Sequence, residues 1–278
     1  NGTTNYILSE MKDKGVSFAD ALADAQAKGY AEADPAFDVE GVDAAHKLTL
    51  LASNAFGVPI QFDKVHVEGI TQLDAADVAF AERLGYRVKL LGIARRNPQG
   101  LELRVHPTLV AADHLLAQVH GSMNAVMVKS DAAGVTMYYG AGAGSEQTAS
   151  AVIADLVDLA RSTGVVHRHR VPSLAFQHHA IVALPVAAID DVETAYYLRL
   201  DVASLSRTLP KILGHLAQAG VRVQQLEVLE HPDDAQLNAV VVLTDLTQQR
   251  VLRGAIAELE ALPTVMGFVK SIRMERLG

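Results

Sequence analysis

The segment that decides the predicted fold begins with 195-AYYLRLDV-202, a run of aromatic and branched residues typical of a β-strand. The residues after it predict a helix at 205–219, strands at 221–229 and 237–244, a helix at 248–262 and a strand at 265–274. The six elements therefore follow one another in the order βαββαβ.

This order is that of the split ferredoxin-like arrangement. Immediately before it, the segment 171–191 has no regular period and contains Pro172 and Pro185, which is typical of a linker. We therefore predict a first domain at 1–171, a linker at 172–193 and a second domain at 194–278. The fold class is α/β of the α+β type.

The first domain combines helices with strands. The apolar period predicts helices at 3–14, 17–28, 42–56 and 74–84. Branched residues between glycines and prolines predict strands at 87–95, 101–105, 124–129 and 135–139. We expect these strands to form one antiparallel or mixed sheet, with an apolar helix at 149–161 packed against it.

The overall composition indicates a soluble protein that acts on small molecules. The 278 residues are half apolar and carry a formal charge of −8, so a nucleic-acid or anionic-membrane surface is not expected. No cysteine is present, which excludes disulfides and thiolate nucleophiles and fits the cytoplasm. No apolar run approaches the ~20 residues of a membrane span. The absence of an initiator Met suggests a chain that begins within a longer protein.

The segment 29–47 carries the residues with the clearest chemical potential. Asp43 and Lys47 lie four apart at the start of a helix, so they share one face. The preceding loop can bring Glu32 and Asp38 to that face. A lysine among carboxylates stays an ammonium and can donate a proton, while the carboxylates can bind a substrate ammonium or hydroxyl. The alternative is an exposed ion pair worth ~0.3–0.5 kcal/mol.

Two further patterns invite a functional interpretation. Gly140, Gly142 and Gly144 separate a strand from a helix, but their spacing is not that of a dinucleotide fingerprint. The alternative role of these glycines is close packing of the helix on the sheet. The histidines at 167–169 and 178–179 lack accompanying cysteines or spaced carboxylates, so no metal site is predicted.

Three stretches resemble the motifs of homoserine dehydrogenases, in the order and spacing of that family. They are 1-NGTTNYIL-8, the segment 29–48, and 139-YGAGAG-144 followed by 148-TASAV-152. The resemblance implies an NAD(P)-dependent oxidoreductase that interconverts L-homoserine and L-aspartate 4-semialdehyde on the route to threonine, methionine and isoleucine. It also implies a nucleotide-binding domain before Asn1, without which this part is expected to be inactive.

The resemblance assigns roles to single residues. It makes Lys47 the proton donor, and Asp43 the carboxylate that holds the substrate hydroxyl and orients the lysine. The remaining substrate-binding residues it implies are Glu32, Asp38, Tyr30 and Thr3. The positions that it places at the nicotinamide end of the cofactor are Gly29, Glu32, Gly142 and Gly144.

The C-terminal unit resembles an ACT domain, which implies pairing into a homodimer or homotetramer and binding of L-threonine as an effector. However, the turn that is usually Pro-Gly is Ser204-Leu205-Ser206-Arg207 here, which removes the close approach that glycine allows. The family also suggests a monovalent cation. Two alternatives stay open: a non-enzymatic amino-acid sensor, and another hydroxy-acid or semialdehyde dehydrogenase.

Overall fold

The computed structural model describes residues 1–163, 172, 174–231 and 234–277. The helices are α1 (Gly2–Lys14), α2 (Phe18–Ala27), α3 (Ala36–Val39), α4 (Val42–Phe56), α5 (Ala75–Arg83), α6 (Ser145–Arg161), α7 (Leu205–Gln218) and α8 (Gln249–Glu260). The strands are β1 (His66–Val67), β2 (Tyr86–Asn97), β3 (Gly100–Ala111), β4 (Met123–Ser130), β5 (Gly134–Ala141), β6 (Glu193–Val202), β7 (Val223–Glu230), β8 (Asn238–Thr244), β9 (Thr247–Gln248) and β10 (Val265–Met274). No helix in these ranges is long and apolar enough to cross a membrane.

The C-terminal unit has the predicted βαββαβ order. Its strands lie in the order β10-β6-β8-β7, and every pair in that series is antiparallel. Helices α7 and α8 cover one face of these strands with buried leucine, isoleucine and alanine side chains. The split ferredoxin-like arrangement predicted from the sequence is therefore confirmed.

A single sheet of eight strands joins the two halves of the chain. The last strand, β10, pairs in parallel with β3 through Arg273 and Met274. On the face opposite α7 and α8, α1, α2 and α5 pack against Tyr197 and Val241 of the C-terminal strands. The helices of the first half thus bury the second face of the C-terminal sheet, as expected of a mixed α/β fold.

The prediction of one sheet from the four strands of the first half is wrong. β2 pairs with β3 along its whole length, and β1 and β10 occupy the other edge of β3. Among the described residues, β4 and β5 pair only with each other and form a separate hairpin, and neither joins the outer edge of β2.

The expected packing of the helix at 149–161 on the sheet is also wrong. This helix, α6, begins at Ser145 and has no buried residue. Its apolar side chains remain 41–59% exposed. Other helices cover both faces of the C-terminal strands of the large sheet.

Residues 184–187 of the predicted linker lie along β3. The backbone N–H of Leu101 donates to the carbonyl of Pro185, and that of Ala187 donates to the carbonyl of Leu101. Leu184 and Val186 pack in a small cluster with Leu101 and Leu103. Of the histidines considered as metal ligands, 178–179 lie in an exposed 3-10 turn. Those at 167–169 lie outside the described residues.

Candidate active site

The start of α4 is held close to the sheet by a glycine. Gly41 precedes the helix with φ 84°, a left-handed conformation that favours glycine. A Cβ at this position would lie 3.1 Å from Val105 Cγ1 of β3. On the helix itself, Ala45 and Leu48 are buried against Val105. Asp43 and Lys47 consequently lie on the side of α4 that faces away from the sheet.

Asp43 and Lys47 form the ion pair that their spacing predicts. Lys47 Nζ donates to Asp43 Oδ2 at 2.5 Å. The carboxylate is the more shielded partner, with 18% of its side chain exposed against 60% for the lysine. Burial alone would raise the pKa of Asp43, but hydrogen bonds from Lys47 and Asn1 outweigh it and lower the pKa. Asp43 therefore accepts the hydrogen bond from Lys47 as an ionised carboxylate.

Asn1 connects this pair to a second carboxylate. Its Oδ1 accepts the backbone N–H of Thr4 at 3.0 Å and so caps α1. Its Nδ2 donates one hydrogen to Asp38 Oδ1 and the other to Asp43 Oδ2, each at 2.6 Å. This role was not predicted from the sequence, where the available signal was an asparagine at the start of a helix.

Asp38 belongs to the short helix α3, which carries it toward the start of α1. Thr3 Oγ1 lies 2.9 Å from Asp38 Oδ2 and 2.8 Å from the carbonyl of Tyr30. The ring of Tyr30 packs against that of Tyr6, with centroids 4.7 Å apart. Asn1 thus joins Asp38 to Asp43, and Thr3 joins Asp38 to Tyr30, although these residues come from separate parts of the sequence.

Glu32 and Gly29 lie at the margin of this cluster. Glu32 is exposed, and its carbonyl accepts a hydrogen bond from Gln26 Nε2 at 3.0 Å. Within the described part of the chain, no hydrogen bond or ion pair links the Glu32 carboxylate to Asp43 or Lys47. Gly29 is left-handed, with φ 74°, and a Cβ there would meet no atom within 4 Å. The loop therefore leaves both residues open toward solvent.

The glycine run at 140–144 returns to the start of α1. A Cβ at Gly142 would lie 2.4 Å from Asn124 Nδ2, and a Cβ at Gly2 would lie 2.8 Å from the carbonyl of Ser122. Gly2 therefore lets the residue before β4 approach the start of α1, and Gly142 makes room for the Asn124 side chain of β4. Gly144, with φ 134°, precedes α6, and a Cβ there would collide with Gln147. At both positions the atoms that a Cβ would meet are the ends of side chains, those of Asn124 and Gln147.

The cluster is an open, anionic surface. Asp38 and Asp43 supply two negative charges against the one positive charge of Lys47, so the balance favours a cationic ligand group. A cleft of about 540 Å³ lies elsewhere, and neither Asp43 nor Lys47 lines it. Among the residues that the structure describes, no group of three or more His, Asp or Glu side chains converges as a metal site requires.

Comparison with known proteins identifies the relatives of this chain. The profile of the family described as Homoserine dehydrogenase matches residues 1–157. The chain is 52% identical over 278 residues to a homoserine dehydrogenase of Pseudomonas aeruginosa, and 48% identical over 277 residues to one of Neisseria gonorrhoeae. These alignments cover 100% of this chain but 64% and 63% of the relatives.

Solved structures agree with the sequence relatives. A crystal structure of a homoserine dehydrogenase from Thiobacillus denitrificans matches with a TM-score of 0.93 and 52% identity, over 100% of this chain and 63% of that one. A homoserine dehydrogenase from S. aureus matches with a TM-score of 0.73 at 29% identity. The chain therefore spans a little under two thirds of the length of the relatives it matches.

Proposed function

The chain belongs to the homoserine dehydrogenase family, and from this premise we propose that it supplies the substrate-binding and proton-transferring side of an enzyme that interconverts L-homoserine and L-aspartate 4-semialdehyde. A nucleotide-binding domain completes the active site in this proposal. The observation that carries it is the convergence of Lys47 and Asn1 on the Asp43 carboxylate, with Asp38 held by the same asparagine.

The proposed chemistry requires one proton at one oxygen. The nicotinamide cofactor, when bound, supplies the hydride or takes it up. Reduction of the aldehyde carbon leaves a negatively charged oxygen, which becomes the homoserine hydroxyl when the Lys47 ammonium donates a proton. In the oxidation direction, the hydroxyl proton returns to Lys47 Nζ. Asp43 orients the lysine and accepts a hydrogen bond from the same hydroxyl.

Substrate binding follows from the charge of the cluster. The ammonium of homoserine is attracted by Asp38 and, from the loop, by Glu32, because carboxylates stabilise a cationic group in a partly shielded site. Thr3 and Tyr30 line the surface between them. Thr3 already holds Asp38 in place, so it orders the carboxylate before substrate arrives.

The residues predicted to contact a nicotinamide cofactor do not all suit that role equally well. Gly29 exposes backbone with nothing packed against it, which suits the close approach of a ring. Gly142 lies against the Asn124 amide and Gly144 has a φ that favours glycine, so their glycine identity gives no added support for a cofactor contact. The proposed cofactor residues remain Gly29 and Glu32 first, then Gly142 and Gly144, for either NADP or NAD.

Substrate choice tests this proposal and separates it from another hydroxy-acid or semialdehyde dehydrogenase. In the full-length enzyme, cofactor reduction is measured with L-homoserine and with 4-hydroxybutyrate, which lacks the amino group. We expect kcat/KM to be about a hundredfold higher for L-homoserine, since the carboxylates would lose their cationic partner. Equal values for the two substrates would contradict the assignment of Asp38 and Glu32.

The C-terminal unit is proposed to be an ACT domain that senses L-threonine weakly. The first turn of α7 begins at Ser204, whose extended conformation and side chain leave less room than a glycine would. Threonine is titrated at millimolar concentration into the full-length enzyme while homoserine oxidation is followed. Inhibition supports the effector site, whereas an unchanged rate would leave the unit a pairing module.

Assembly and location complete the proposal. A two-stranded hairpin is marginal by itself, yet β4 and β5 stand apart from the large sheet with Tyr138 71% and Tyr139 60% exposed. We propose that a second copy covers this hairpin in a homodimer, or in a homotetramer built from two such pairs.

The remaining proposals follow the family. They are a cytoplasmic location, a role in the biosynthesis of threonine, methionine and isoleucine, and binding of an alkali cation. A non-enzymatic sensor would explain only the C-terminal half.

A further inference from the structure

A short segment after β1 lies directly against the residues that carry the candidate site. The backbone N–H of Glu68 donates to the carbonyl of Val105, and that of Ile70 donates to the carbonyl of Val39, both at 2.8 Å. A Cβ at Gly69 would lie 2.3 Å from the Val39 carbonyl oxygen. Segment 68–70 therefore determines where Val39 lies, and with it the neighbouring Asp38.

The same segment reaches the start of α4. A Cβ at Gly41 would lie 3.4 Å from the carbonyl oxygen of Glu68 and 3.3 Å from Val67 Cγ1. Gly41 is the residue before the helix that carries Asp43 and Lys47. A displacement of segment 68–70 would consequently move both carboxylates of the site, because Gly69 packs directly on the backbone of Val39 and Glu40, between Asp38 and Asp43.

An arginine of the last strand holds this segment. Arg273 Nη1 donates to Glu68 Oε2 at 2.6 Å and Nη2 donates to Glu68 Oε1 at 2.9 Å, a bidentate pair. His66 Nε2 lies 2.7 Å from Glu68 Oε1. Burial would raise the pKa of Glu68, but hydrogen bonds from His66 and Arg273 lower it well below its usual value. The carboxylate is thus permanently ionised at neutral pH.

Arg273 is in turn fixed by the C-terminal unit. Its side chain is 6% exposed, and Nη2 also donates to Gln249 Oε1 at 3.0 Å. The hydroxyl of Tyr196 donates to the same Gln249 oxygen at 2.7 Å. Three elements of the unit, β6, α8 and β10, therefore set the position from which the guanidinium reaches Glu68.

The ion pair of Glu68 and Arg273 lies on the lining of the cleft of about 540 Å³. Thr71 and Leu73 line this cleft together with Phe268 and Ser271 of β10. The backbone of Glu68 is bonded to Val105 of β3, and its side chain joins the segment to the last strand through the ion pair with Arg273.

We propose that Arg273 is a positioning residue: acting through Glu68 and the backbone of 69–70, it holds Asp38 and Asp43 in the geometry that binds substrate. This inference rests on the proposed function, because the site it positions is the substrate site. It gives the C-terminal unit an indirect structural link to the substrate site, separate from any effector.

The test replaces Arg273 with lysine, which keeps the charge but not the bidentate geometry. Arg199→Lys is the matched control, since Arg199 is also buried in the sheet but pairs with Asp77 at 2.8 Å and Asp74 at 2.9 Å instead of with Glu68. In the full-length enzyme we expect Arg273→Lys to lower kcat/KM for L-homoserine about tenfold, with the cofactor KM unchanged. Arg199→Lys should stay within about twofold.

Amide hydrogen exchange separates this inference from the proposed function. Exchange in residues 36–47 should accelerate in Arg273→Lys and not in Arg199→Lys, whatever the substrate proves to be. Equal exchange and equal activity in the two variants would overturn the positioning role. If wild-type enzyme ignores L-homoserine, the proposed function fails while the exchange result still stands. Should Arg273→Lys not fold, Glu68→Gln applies the same test from the more exposed partner.

Discussion

Two Asp–Lys pairs with the same spacing lie on helices of the first half, one on α2 and one on α4. Lys28 Nζ donates to Asp24 Oδ2 at 2.8 Å, and Lys47 Nζ donates to Asp43 Oδ2 at 2.5 Å. Both lysines are strongly exposed, at 47% and 60%. Spacing, residue type and lysine exposure therefore do not distinguish the two pairs.

The partners of the two aspartates do distinguish them. Asp24 accepts a hydrogen bond from the Tyr6 hydroxyl at 2.5 Å, and that hydroxyl also accepts from Lys28 at 2.6 Å, so the three groups satisfy one another. Asp43 is joined instead through Asn1 to another carboxylate, Asp38. The α2 group is electrically balanced, whereas the α4 group has an excess negative charge that a ligand can neutralise.

The largest expected difference concerns the lysines. Lys47→Ala should lower kcat for homoserine oxidation by about a thousandfold, because no other group in this cluster can transfer the proton. Lys28→Ala should remain within about twofold of wild type. Steady-state rates of the full-length variants at saturating cofactor give the comparison. Equal losses at the two positions would remove the distinction between the pairs.

The aspartates should differ by a smaller factor. Asp43→Asn keeps the size of the side chain but removes the negative charge that holds the Lys47 ammonium. We expect about a hundredfold loss of kcat/KM for L-homoserine. Asp24→Asn, the matched change on α2, should leave kcat/KM unchanged within about twofold. Thermal unfolding of both variants controls for stability. If the loss of kcat/KM in Asp43→Asn is fully explained by a loss of thermal stability of that variant, Asp43 has no specific role in the site.

The helix caps allow a third comparison. Asn1→Ala removes a cap and the bridge between Asp38 and Asp43, while Ser17→Ala removes only the cap of α2. Each should cost about 1 kcal/mol of stability through the lost cap. Asn1→Ala alone should raise the KM for L-homoserine, by about tenfold. Similar KM values for the two variants would show that Asn1 acts only as a cap.

The smallest effects are expected in the titrations. The Lys28 and Tyr6 hydrogen bonds lower the pKa of Asp24 from 3.8 to about 2, so the stability it contributes is present above pH 3.8 and lost as pH falls toward 2. Lys28→Ala should raise this pKa, and Asn1→Ala should raise that of Asp43. Carbon-13 NMR of the carboxylates measures both. An unchanged Asp43 pKa in Asn1→Ala would contradict the bridge.

The local pattern predicted most elements because each has one clear period. The bounds predicted for α4, 42–56, agree with the structure because Gly41 and Gly57 end the pattern on both sides. The βαββαβ order was also readable, since strands and helices alternate with short turns. The predictions that failed are the pairing of β4 and β5 with β2 and β3 in one sheet, and the packing of α6 on that sheet. The local pattern of these elements is correct, but it gives no information about which distant strands and helices pack together.

The candidate site was predictable to a similar extent. The i,i+4 spacing placed Asp43 and Lys47 together, the loop before the helix suggested Asp38 and Glu32, and the resemblance added Thr3 and Tyr30. The role of Asn1 and the contact from Arg273 to Glu68 were not visible, because both depend on residues far apart in the chain. Spacing within one helix predicts neighbours, but it gives no information about which other elements complete the charge balance.

Chemical rescue tests the proton-transfer role of Lys47 most directly. The full-length Lys47→Ala enzyme is assayed for homoserine oxidation with increasing concentrations of small primary amines, alongside Lys28→Ala. We predict that the Lys47→Ala rate is low without amine and rises to saturation as the amine occupies the vacated space beside Asp43, while Lys28→Ala does not respond. A Lys47→Ala enzyme that turns over as fast as Lys28→Ala without any amine would contradict the claim that this ammonium transfers the proton.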